Sequence, residues 1–107
     1  MSTDRYTDIE ELTLDLREFA HARNWEYVHS PKNLASALIV EAAELLEHFQ
    51  WMEPQESFQL EPEKKQEVAH EMADVFIYLT RMADRLGIDL LAAAKEKMHL
   101  NTQKYPA

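Results

Sequence analysis

The chain has 107 residues, a formal charge of −9, no cysteine, one glycine, and hydrophobic side chains at 46% of positions. That is one domain's length, with enough apolar residues for a core and too few glycines for a turn-rich fold. The acidity excludes general binding to a nucleic-acid backbone, which depends on clustered Lys and Arg, and the lack of cysteine excludes disulfides and thiolate metal sites.

The opening MSTDRYTDIEE carries no apolar leader, and no run approaches the ~20 apolar residues of a membrane span. The expectation is one cytoplasmic domain over residues 1–107, with neither a membrane nor a nucleic-acid polymer as partner. The first helix is predicted from about Thr7 to Arg23. Thr7 and Glu10 have capping-box spacing, and Ile9, Leu12, Leu16 and Phe19 recur at helical intervals. Asn24 is a stop. The connection to Ser30 carries Trp25, Tyr27 and His29, rings that either pack over the end of a bundle or line a pocket.

Ser30 as N-cap with Pro31 at the first helical position opens a second helix, predicted to run to about Gln50. Leu34, Leu38, Ala42, Leu45 and Phe49 form its stripe at ~100° per residue. Ile39, Ala43 and Leu46 make the opposite side apolar too. Residues 51–62 form a linker with two prolines, whose Trp51, Phe58 and Leu60 are expected to lie against the protein. The third helix, about Pro62 to Leu86, closes at Gly87, a natural helix-ending residue. Asp89 caps the fourth, which runs to about Gln103 with Leu90, Leu91, Ala94 and Met98 as its apolar side and Lys97, Asn101 and Lys104 on another face. Four helices with short connections predict an all-α four-helix bundle. Helices two and three have more apolar surface than helices one and four can cover. A homo-oligomer, at least a dimer, is therefore expected.

Two carboxylate pairs stand out, Glu41 with Glu44 and Glu71 with Asp74. Spacing of three puts each pair on one helical face. Glu41 falls inside the apolar stripe between Leu38 and Leu45, a costly place for a carboxylate unless it is paired or holds a metal. An all-oxygen set suits Mg²⁺, with Mn²⁺ as substitute. Glu71, Asp74 and Tyr78 form one ridge of the third helix. A di-iron site built on Glu18–His21 and Glu67–His70 is rejected, because both histidines point away from the apolar stripes.

The two carboxylate pairs, with 26 residues between Glu44 and Glu71, come with Trp25, His29, Pro31, Lys32, Asn33 and Leu34, with Phe49-Gln50-Trp51, with Ile77-Tyr78-Leu79, and with Lys97, Met98, Asn101, Tyr105 and Pro106. Together they resemble the MazG-like nucleoside triphosphate pyrophosphohydrolases, and within that all-α superfamily the dCTP pyrophosphatase branch. The resemblance implies hydrolysis of a nucleoside triphosphate between its α and β phosphates, with Mg²⁺ held by Glu41, Glu44, Glu71 and Asp74. It implies a helical oligomer, dimer or tetramer, with sites at subunit interfaces. It also implies that Trp25, His29 and Trp51 look toward the base and that Tyr78, Lys97 and Asn101 contact sugar or phosphates; Asn33, from the matched segment, and Lys104, by its charge beside Lys97, are expected in the same substrate site. One departure is visible: after Asn101 the vertebrate dCTP pyrophosphatases carry further arginines, whereas Thr102 and Gln103 are neutral here.

The chemistry of the residues agrees with that reading. A cation among the carboxylates neutralises a triphosphate, Glu41 or Glu44 can take a proton from water, and Lys97 and Lys104 supply positive charge. The expected substrate is dCTP or a 5-substituted dCTP. The alternatives are dUTP or a damaged purine nucleotide, or a non-catalytic helical module that binds a metal or nucleotide. The part of Glu47, just past the first pair, is left open.

Overall fold

A computed structural model describes residues 8–107, which form α1 (Ile9–Ala22), α2 (Pro31–Glu47), a 3₁₀ turn (Glu56–Phe58), α3 (Pro62–Leu86) and α4 (Leu90–Lys104). No strand occurs among them, and none of these helices is long and apolar enough to cross a membrane. The all-α class holds.

Local chemistry sets the helix ends. Ser30 Oγ accepts from the Asn33 amide at 3.1 Å with Pro31 just inside α2, and Asp89 accepts from the Ala92 amide at 3.0 Å to open α4. Gly87 closes α3 at φ +66°, where the Ile88 amide reaches back to the Ala83 carbonyl at 2.8 Å. Asn24 ends α1 the same way at φ +56°, with the Trp25 amide on Ala20 O at 2.9 Å. Both are the left-handed stop that satisfies orphan carbonyls. The start of α1 differs from the expectation. Thr7 lies outside the described residues, and Asp8 is the cap, accepting from the Glu11 amide at 2.8 Å.

The core is the antiparallel pair α2 and α3, with α1 laid against α3. His48 meets Lys64 near the linker, Nδ1 to Nζ at 3.2 Å, and Glu41 and Glu44 meet Glu71 further along. Leu34 is the best-buried member of the α2 stripe at 1% exposure, and Val68 and Ala83 are buried on α3.

Two expectations change. The fourth helix does not complete the bundle within this chain: it has no buried residue, packs appreciably on none of the other helices, and exposes Leu91 and Met98. Nor do the linker aromatics lie against the protein, since Trp51 is 89% and Phe58 83% exposed. On α2, Ile39 and Leu46 stand 67% and 61% exposed, as the helix's all-round apolar pattern implies. The radius of gyration is 16.4 Å, against about 13 Å for a compact domain of this length.

Candidate metal centre

α2 and α3 bring the carboxylates together. Glu41, Glu44 and Glu71 each offer an oxygen, and these three atoms lie within 4.8 Å of one another. All three residues are partly buried. Their convergence follows from the antiparallel register of the two helices, because each acidic pair occupies one face and the faces oppose each other. Asp74, one turn beyond Glu71 and also partly buried, lies outside this tight group, yet its charge acts on Glu41. Glu47 is exposed and takes no part in the group.

The electrostatics are those of a carboxylate group that could hold a cation. The Glu41 carboxyl is pushed up from its ordinary 4.5 to about 7, first by burial, then by the neighbouring Glu71 and Glu44 carboxyls and by the charges of Glu44 and Asp74. The Oε2 atoms of Glu41 and Glu71 are buried and have no hydrogen-bond partner among the described residues. A buried acceptor without a donor costs about 1–3 kcal/mol, and a divalent cation relieves both the orphaned lone pairs and the mutual repulsion. The donors are all oxygen, the set that suits Mg²⁺ or Mn²⁺. The residues therefore fit a hard divalent metal ion.

The aromatic connection forms its own cluster. Trp25 packs edge-on against Phe19, with centroids 5.7 Å apart, and tilts over His29 at 5.8 Å. His29 Nδ1 accepts from Arg81 Nε at 3.2 Å. The Asn33 side-chain amide donates to the Val28 carbonyl at 2.9 Å, holding this connection in shape. Tyr78 is partly buried one turn past Asp74. Trp51 stands out in solvent. Lys97, Asn101 and Lys104 ride on α4, so the chain by itself does not gather them around the carboxylates.

Sequence reasoning missed Arg81, buried at 4% exposure. Its Nη1 donates to Asp84 Oδ2 at 3.1 Å, and Arg17 from α1 grips both oxygens of that carboxylate, at 2.6 and 3.0 Å. A signal was available. Arg81 comes seven residues after Asp74, two turns along the same ridge, with Tyr78 between them. The histidines of the rejected di-iron reading are exposed and occupied elsewhere, His21 with Glu26 and His70 with Gln66.

The MazG-like family model matches residues 37–107, which include all four acidic residues. The chain belongs to the MazG-like family. Among similar proteins, dCTP pyrophosphatase 1 of Rattus norvegicus is 42% identical over 91 residues, and the Homo sapiens protein of that name 41% over 92. These matches cover 83% and 84% of this chain, which spans about half, 54%, of each relative's length. A crystal structure of a pyrophosphatase from Archaeoglobus fulgidus DSM 4304 superposes with a TM-score of 0.88 at 44% identity, covering 96% of both chains. The MazG-like fold expected from the motifs is thus the fold present.

Proposed function

We propose that this chain is a cytoplasmic, Mg²⁺-dependent hydrolase, a single MazG-like domain that cleaves a nucleoside triphosphate to monophosphate and pyrophosphate, with dCTP or a 5-substituted dCTP as substrate. The observation that carries this reading is the convergence of Glu41, Glu44 and Glu71, with a buried, unpartnered carboxylate oxygen on Glu41 and another on Glu71. The names of the relatives, dCTP pyrophosphatase 1, support the choice of nucleotide.

Glu41, Glu44, Glu71 and Asp74 would hold the metal ion. When bound, it supplies charge neutralisation for the triphosphate and for the departing pyrophosphate. The chain's own groups do the rest. Glu41 or Glu44 takes a proton from the attacking water; the water oxygen bonds to phosphorus as the α–β bridging P–O bond breaks, and the bridging oxygen leaves on pyrophosphate. Arg81, which donates to His29, follows Asp74 by seven residues on α3, about 10 Å at 1.5 Å each, and Trp25 packs on His29; in this reading the two rings serve the base of a nucleotide whose phosphates lie at the carboxylates. Stacking on Trp25 is worth about 1–3 kcal/mol. In a homo-oligomer, Trp51 and the α4 residues Lys97, Asn101 and Lys104 close the site from a neighbouring copy.

A panel of dCTP, 5-methyl-dCTP, dUTP and an oxidised purine deoxynucleotide, followed by pyrophosphate release with Mg²⁺, tests the proposal. Release is expected to be fastest with the cytosine nucleotides. Tight binding with no pyrophosphate from any member would instead establish a non-catalytic nucleotide-binding module.

A further inference from the structure

His29 is held from behind by a line of charged groups that the proposed chemistry does not use. Arg17 on α1 clasps Asp84, Asp84 binds Arg81, and Arg81 Nε donates into His29 Nδ1 at 3.2 Å. An N–H can donate there only if that ring nitrogen keeps its lone pair. The ring's proton must then sit on Nε2. Arg85 secures the backbone of the same connection, donating to the carbonyls of His29 at 3.2 Å and Glu26 at 3.3 Å. Trp25 covers the ring at 5.8 Å.

We propose that the Arg17–Asp84–Arg81 line locks His29 as the Nε2–H tautomer, so that His29 meets the nucleotide as a fixed hydrogen-bond donor and never as a base. This rests on the reading of the chain as a nucleotide hydrolase. The group it recognises is an oxygen acceptor of the substrate, and Arg81 is a positioning residue that acts through His29. The charged groups facing the ring are Arg81 and Arg85 from α3, with Asp84 behind Arg81. Burial, then the positive charges of Arg81 and Arg85, hold the imidazole below its ordinary 6.5, in keeping with a ring that stays neutral.

Long-range ¹⁵N–¹H correlation spectra of protein labelled at its five histidines test the lock, with His29→Gln identifying the His29 signals. The wild type at pH 7.5 is expected to show the proton on Nε2 and an unprotonated Nδ1. A proton on Nδ1, or an averaged mixture of tautomers, would overturn the lock whatever happens to any variant. Arg81→Met should release the ring into a mixture and raise KM for the nucleotide about two- to fivefold, the inverse of the fraction of rings still carrying the proton on Nε2, with kcat unchanged. A fall in kcat at constant KM would overturn the donor role. If the wild type turns over no nucleotide, the hydrolase reading fails, and the spectrum still decides the lock separately.

Discussion

At the scale of single residues, Glu41 is where folding and chemistry conflict. A carboxyl raised from 4.5 to about 7 by burial and like-charged neighbours opposes the folded state as pH rises through that window, because the native protein then binds more protons than the unfolded chain. At pH 8 the whole cost is present unless a cation offsets it. Glu41→Gln should therefore raise the melting temperature of chelator-treated protein at pH 8, by roughly 4–8 °C, equivalent to about 1 kcal/mol. The same substitution, and Glu71→Gln, should lower kcat/KM for dCTP by about 10³-fold or more with helix content intact by circular dichroism. A Glu41→Gln protein that is both fully active and no more stable would remove Glu41 from the metal site. The placement of Glu41 was legible in the sequence because a carboxylate inside an apolar stripe has few explanations. The tight group of three was not, since spacing fixes a face but not how far side chains reach across to the opposing helix.

At the scale of elements, the link between α1 and α3 depends on Asp84. Its carboxyl is held below the ordinary 3.8 chiefly by the hydrogen bonds from Arg17, so its contribution is present above that pH and lost as pH falls through the lowered value. Asp84→Asn should destabilise the protein by about 2 kcal/mol at pH 7, because it leaves the buried Arg81 guanidinium without its counter-charge. Urea denaturation should show that difference shrinking as pH falls below 3.8; a gap that persists undiminished at acid pH would mean packing, not charge, joins the two helices. Helix boundaries at Ser30, Gly87 and Asp89 could be read directly, because capping is local chemistry. The position of α4 could not. Its apolar residues mark a face to be covered, and a sequence does not say by which chain. Trp51 and Phe58 misled for the same reason: apolar residues in a linker imply a contact, and among the described residues both stand exposed. Arg81 escaped notice because a lone arginine on a helix usually faces water, although it falls on the ridge of Asp74 and Tyr78; its partners, Asp84 on α3 and His29 in the aromatic connection, show that it does not.

At the scale of the molecule, the accessible surface is 8511 Å², against about 6,200 Å² for a folded monomer of 12.5 kDa. Ile39, Leu46, Leu91 and Met98 contribute to the excess. Light scattering at micromolar concentration should give a mass of at least two 12.5 kDa chains; a strictly monomeric mass would mean that α4 serves no neighbouring copy. The formal charge of −9 makes an anionic substrate unwelcome except at a bound cation, so the acidity of the whole molecule and the architecture of the α2–α3 pair point to the same requirement. That requirement can be measured directly. Titration of Mn²⁺ followed by electron paramagnetic resonance should show saturable loss of the free-ion signal with the wild-type protein and little or none with Glu41→Gln or Glu71→Gln. Equal uptake by wild type and both variants would contradict a shared metal site between the two helices.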